Sequence, residues 1–106
     1  MNKLTGAEAL VMKAIWELDR EVKAADIYKR ILQDYGQDWT KQTISSFIHI
    51  LVMKRFIEMH RNKGICTYTI MITRVDFMRE QLTQIKDFWY DGNKEAMMKD
   101  LKELEI

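Results

Sequence analysis

The sequence has no proline, only four glycines and a single cysteine in its 106 residues. With so few breakers, and with Met, Leu, Ile, Glu and Lys in abundance, long helices meet little to stop them. The lone Cys66 rules out an internal disulfide. No apolar run approaches the roughly 20 residues that a membrane helix requires. The first ten residues, MNKLTGAEAL, lack the apolar centre of a secretory leader. These absences point to a cytoplasmic protein. Neither sign of charge dominates, and the net charge is +1. A hydrophobic content of 47% nevertheless marks a globular chain. A core built from so short a chain is marginally stable, so burial through oligomerisation would help.

A near-zero total argues at first against nucleic acid, but the charge is unevenly spread. Residues 1–72 hold 11 Lys/Arg and 8 Asp/Glu, giving +3, whereas residues 73–106 hold 6 and 8, giving −2. Between residues 40 and 63 five bases (Lys41, Lys54, Arg55, Arg61, Lys63) face one acid, Glu58, giving +4. That stretch is where an anionic partner would be met.

Thr5-Gly6-Ala7-Glu8 is a capping box. Leu10, Val11, Ala14, Ile15 and Leu18 follow it at helical spacing, with Trp16 at the edge of the stripe. Glu21-Val22-Lys23 reads as a short strand. A second helix is predicted from about Ala24 to Tyr35, burying Ile27, Tyr28, Ile31, Leu32 and Tyr35 and stopped by Gly36. Asp26 in its first turn suits the helix dipole. Thr40 caps a third helix whose inner face is Ile44, Phe47, Ile48 and Leu51, and whose outer face is Gln42, Ser45, Ser46 and His49. Trp39 is placed to staple its start onto the core. Arg55 stands where a helix C-terminus prefers glycine. Phe56–Arg61 and Ile65–Ile72 are strand-like and are joined by a short loop containing Gly64, which makes a hairpin.

A polar-faced helix leading straight into a basic hairpin is the layout of a winged helix-turn-helix, with residues 1–72 as the DNA-binding domain. Residues 73–106 read as two further helices and a dimerisation region. Thr73 to Asp76 is a cap signal. Val75, Met78, Leu82, Ile85 and Trp89 then recur at alternating three- and four-residue steps, a coiled-coil-like seam. Asp91-Gly92-Asn93 interrupts, and Met97, Leu101 and Leu104 continue after it. Such a stripe lacks the mass to cover itself: either it folds back on the first domain or, the favoured expectation, it closes a two-fold homodimer. The fold class is therefore mainly α with a small β wing, followed by a C-terminal helical dimerisation region.

Three motifs carry a resemblance to a known family. They are Leu4-Thr5-x-x-Glu8-x-x-Val11-Met12-x-x-Ile15-Trp16, Asp38-Trp39-Thr40-x-x-Thr43-Ile44, and Lys54-x-Phe56-Ile57 followed by a wing with Tyr68. With Phe88-Trp89-Tyr90 ahead of Asp91-Gly92 and a last helix, they resemble the penicillinase-repressor family (the BlaI/MecI/CopY group) over nearly the whole chain. The resemblance implies a homodimeric transcriptional repressor on a palindromic operator. In members related to antibiotic resistance it also implies inactivation by proteolysis under a membrane sensor. The chain departs from the family in several places. Ser45 and Ile50 stand where relatives often carry bases, and Arg55 replaces a helix-ending glycine. The paired cysteines of the copper-responsive branch are missing, as is an Asn-Phe peptide of the kind cleaved in the resistance-linked members.

The candidate DNA-binding residues are therefore Lys41, Gln42, Thr43, Ser45, Ser46, His49, Lys54, Arg55, Arg61 and Lys63. Gln, Ser, Thr and His can read base edges, and the bases can hold phosphates. Exposed polar residues are ordinarily just a solvated face, and a lone lysine is usually a surface residue. It is the clustering on one helix and one hairpin tip that favours DNA. Val75, Met78, Leu82, Ile85, Trp89, Met97, Leu101 and Leu104 are assigned to the dimer interface. Cys66, His49 and His60 match no compact zinc spacing. No nucleophile–base pair, carboxylate dyad or phosphate loop is found, so no catalytic residue, metal or cofactor is expected. The alternative reading is a winged-helix protein–protein interaction module.

Overall fold

Thr5 and Glu8 start the first helix, α1 (Gly6–Leu18), as a reciprocal capping box. The Glu8 amide donates to the Thr5 hydroxyl at 3.3 Å, and the Thr5 amide donates to the Glu8 carboxylate at 3.4 Å. Two N-terminal donors that the helix itself leaves unmet are thereby satisfied. Val11, Met12, Ala14 and Ile15 are fully buried, and Leu10 and Leu18 half-buried, along the inner face. Asp19 ends the helix in the left-handed region, one that Asp tolerates better than most residues. The computed structural model describes residues 3–105. Met1, Asn2 and Ile106, at the ends of the two regions expected from the sequence, lie outside the described residues. The chain divides into two compact units, Met1–Thr73 and Arg74–Ile106.

In the first unit β1 (Val22–Lys23) is followed by α2 (Ala24–Lys29), which widens into a π-helical turn over Arg30–Asp34. The expectation of one regular helix to Tyr35 is corrected here. The Tyr35 amide donates to Arg30 O at 3.0 Å, five residues back rather than four. The wider winding turns later side chains off the inward stripe. Ile27 and Ile31 are fully buried, but Leu32 and Tyr35 stay half-exposed. Tyr28, ahead of the π turn, is also half-exposed because its hydroxyl reaches out to Ser45. Arg30 pairs with Asp34 at 3.1 Å, and the Tyr35 hydroxyl donates to Glu17, tying the turn to α1.

Thr40 caps α3 (Lys41–Met53), accepting the Thr43 amide at 3.1 Å. Ile44, Ile48 and Leu51 are buried, while Phe47 is half-buried with its ring 5.4 Å from that of Trp39. At the other end the Phe56 amide donates to Leu51 O across Arg55, whose φ is +64. This is the glycine-type C-terminal motif made with arginine.

Strands β2 (Ile57–Asn62) and β3 (Ile65–Ile70) pair antiparallel, with Ile57 opposite Ile70 and Asn62 opposite Ile65. Lys63 and Gly64, with φ of +53 and +79, form the two-residue turn that matches the twist of a hairpin. β2 is shifted one residue along from the span the sequence suggests, and β3 stops two residues earlier, at Ile70. Phe56, expected to open β2, is fully buried and finishes the α3 motif instead. Beyond β3, Met71 and Ile72 both donate to Phe56 O, at 2.9 and 3.3 Å. β1 adds to the sheet in the order β1-β3-β2, with Val22 opposite Tyr68. Trp16 holds the chain just beyond β3, its indole N–H donating to Ile72 O at 2.9 Å.

The second unit contains α4 (Arg74–Trp89) and α5 (Lys94–Glu103). Gly92, at φ +79, closes α4 by donating to Lys86 O at 3.0 Å. Asn93 then caps α5, its side chain accepting the Ala96 amide at 3.1 Å. The Tyr90 hydroxyl donates to Asp100 at 2.9 Å and clamps α5 to the end of α4. That hydrogen bond, before burial and the charge of Asp100, raises the Tyr90 pKa above the ordinary phenol value. Among the described residues, no helix is long and apolar enough to cross a membrane.

Candidate nucleic-acid interface

The inward stripe of α3 leaves the opposite face to solvent by geometry alone. Gln42, Ser45, Ser46 and His49 are all exposed on it, as expected. Two local bonds order this face. The Ser46 hydroxyl donates back to Gln42 O at 3.0 Å. The Ser45 hydroxyl shares a short hydrogen bond with the Tyr28 hydroxyl of α2. Lys41, in the first turn, has its ammonium 6.0 Å from the centre of the Tyr28 ring. Thr43 lies to one side, where its hydroxyl accepts from Thr40 at 2.9 Å within the cap.

The hairpin carries its own charge. Arg61 and Lys63 are exposed at its tip. Arg61 lies opposite Cys66, on the face of the sheet that also bears Met59 and Tyr68. Burial pushes the Tyr68 pKa upward, and nearby Cys66 and Tyr28 add to the rise, while Arg61 opposes it. On the other face Glu58 is met by His60 at 3.3 Å, which partly occupies the one acid of this stretch.

Lys54 stands apart from the other candidates. The sequence groups it with the phosphate-holding bases, but its ammonium donates to the buried Glu8 carboxylate and to Lys3 O. The Lys54 hydrogen bond, with smaller help from Thr5 and against the cost of burial, holds the Glu8 pKa below the usual glutamate value. Lys54 therefore braces the end of α3 against the start of α1. The two residues are 46 positions apart, too far for local pattern to reveal the pairing.

The structure thus brings Lys41, Gln42, Ser45, Ser46 and His49 onto one helix face, with Thr43 at its flank. Arg61 and Lys63 sit at the hairpin tip, and Arg55 is exposed at the turn between helix and hairpin. Cys66 is half-buried, and the described residues contain no group of three or more His, Cys, Asp or Glu placed to hold a metal ion.

The sequence model of the penicillinase repressor matches residues 4–105. The chain belongs to the penicillinase repressor family. A solved structure described as the solution structure of the DNA-binding domain of the repressor BlaI is similar to it, with 25% sequence identity and a TM-score of 0.60. The similarity covers 72% of this chain and 93% of that one. No curated protein matches the sequence. The family accounts for the fold, a three-stranded winged helix followed by further helices.

Two residues of the exposed face escaped the sequence reading. Met53, 70% exposed, extends the line of Ser46 and His49 by one more turn. Its helical spacing was the available signal. Tyr28 reaches the face from another helix, 17 positions from Ser45, and periodicity places it with the core.

Proposed function

We propose that this penicillinase repressor family member, a DNA-binding transcriptional repressor, works as a homodimer on a palindromic operator. The observation that carries this reading is the exposed polar face of α3 beside the basic hairpin tip. Gln42, Ser45, Ser46 and His49 are the base-reading residues, with Gln suited to adenine edges, Ser to several bases and His to guanine or phosphate. Lys41, Arg55, Arg61 and Lys63 hold phosphates, and Thr43 lies at the helix start, near the backbone. α3 enters the major groove with its N-terminal half while the hairpin lies along the flanking backbone.

The second unit supports the pairing. Val75, Met78, Leu82, Ile85, Trp89, Leu101 and Leu104 are each between 42% and 75% exposed. Met97 is half-buried in a groove between α4 and α5 that also presents Leu82, Met98 and Leu101. An apolar surface of this extent on two short helices calls for a second copy. Two copies set half-sites about one helical turn apart, or a near multiple. They also double a positive field that is weak in one.

Footprinting on genomic fragments at moderate salt tests the reading. A protected sequence with two-fold symmetry is expected, together with loss of protection in Ser46→Glu and Arg61→Glu variants that keep their fold. Binding without sequence preference, or variants that act normally, would sink it.

A further inference from the structure

Ser45 is a small side chain at the centre of a face proposed to read bases, and an unrestrained serine is a poor discriminator. A free hydroxyl rotates to donate or to accept as its partner requires. Here it is not free. Tyr28 comes up from α2, half-exposed, and its phenol oxygen shares a short hydrogen bond with Ser45 Oγ. A phenol is a better hydrogen-bond donor than an aliphatic alcohol. Either oxygen can give the proton in this pair; with the more acidic phenol as donor, one lone pair of Ser45 Oγ is occupied. The serine proton is then left to point outward. The same ring lies 6.0 Å from the Lys41 ammonium, at the reach of a cation–π contact, so one aromatic side chain steadies both neighbours.

We propose that Tyr28 is a specificity-determining positioning residue: it polarises the Ser45 hydroxyl so that Ser45 presents a donor to DNA, and its ring seats Lys41 for a phosphate. This rests on the operator-binding reading above. A donor at this place selects bases that offer an acceptor in the major groove, namely purine N7, guanine O6 or thymine O4. It disfavours the cytosine amino group, which is itself a donor. Tyr28 thus shapes the choice of base through Ser45 rather than by meeting the base.

The test is a full base-preference profile, measured with randomised duplexes, for the wild-type chain, Tyr28→Phe, Ser45→Ala and the double variant. Salt dependence and thermal unfolding are followed alongside. Tyr28→Phe keeps the ring and removes only the hydroxyl. It is expected to relax discrimination against cytosine at one symmetry-related pair of operator positions by about fivefold, the scale of one modest base contact. Its salt slope and melting temperature should stay unchanged. Ser45→Ala should relax the same positions, and the double variant no further than Ser45→Ala alone, because the phenol acts through the serine. Tyr28→Leu, which also removes the seat of Lys41, should add a uniform loss of affinity of about threefold. An unaltered Tyr28→Phe profile overturns the inference. So does a change at positions that Ser45→Ala does not affect, or an additive double variant. A wild-type profile with no preference anywhere fails the operator reading itself, and the inference falls with it.

Discussion

In Met1–Thr73 the side chains of Val11, Met12, Ile15, Ile27, Ile31, Ile44, Leu51 and Phe56 are all fully buried. From Arg74 to Glu105 no side chain reaches that state, and Leu82, Ile85 and Leu101 keep 49%, 42% and 49% of their exposure. Both regions are written in the same helical code, with apolar residues at three- and four-residue steps. What differs is the number of faces available to meet. The first unit closes three helices and a sheet around one centre, so each stripe finds another. The second has two helices, and each can cover only one flank of the other. Identical local patterning therefore completes a core in one place and leaves a surface to be completed in the other.

The contrast can be broken from either side. The largest effect belongs to Phe56→Ala, which empties the centre of the first unit and is expected to cost about 3–5 kcal/mol in chemical denaturation. A loss under about 1 kcal/mol would contradict the packing described. Next come Leu82→Asp and Ile85→Asp, which place charge in the proposed seam. Sedimentation should show monomers, and operator affinity should fall by about 100-fold as the two reading heads lose their linkage. The fold of the first unit should be untouched. An unchanged dimer refutes the assignment of the seam. The wild type, by contrast, should melt at a temperature that rises with protein concentration.

Lys54→Met has a smaller effect, about 1–2 kcal/mol, because Lys54 is half-exposed and its pair with Glu8 is partly screened. Its pH dependence has a definite sign. Glu8 is held below the usual glutamate value chiefly by Lys54. Its contribution is therefore complete above the unfolded pKa of about 4.3 and is lost as pH falls through the lower folded value. The gap between wild type and variant should be widest near neutrality and close in acid, as urea titrations at several pH values can show. A gap that stays constant with pH would mean that Glu8 is not the partner that matters.

Arg55→Gly is expected to have the smallest effect, and one of opposite sign on two observables. Arg55 holds φ at +64, where glycine pays no steric cost, so stability should rise by about 0.5–1 kcal/mol. Operator affinity should fall, and the salt slope should flatten by about one unit per subunit if the guanidinium holds a phosphate. Higher stability with unaltered binding would remove Arg55 from the interface and leave its conformation as a mere cost.

Features set by neighbours in the chain were legible in advance. The Thr5–Glu8 box, the Thr40 cap, the outward face of α3 and the hairpin around Gly64 follow from short-range rules, and the structure contains them all. The fold class was readable on the same basis, and the family through the resemblance carried by the motifs at Leu4–Trp16, Asp38–Ile44 and Lys54–Ile57. The π turn at Arg30–Asp34 was not, because it depends on how α2 ends against α1 rather than on propensity. The same holds for Lys54 and Tyr28. Each was placed by composition or periodicity, one with the phosphate-holding bases and one with the core, while the side chain it meets in the structure lies on another helix.

The sequence by itself thus determined which segments are helix or strand and which face of each is apolar, because capping, turn chemistry and periodicity act over a few residues. Only the tertiary structure decided which polar groups remain to meet a partner. Packing withdrew Lys54 into a pair with Glu8 and brought Tyr28 up beside Ser45. Those outcomes depend on distances between helices, and helix spacing is set by the close-packed core beneath them.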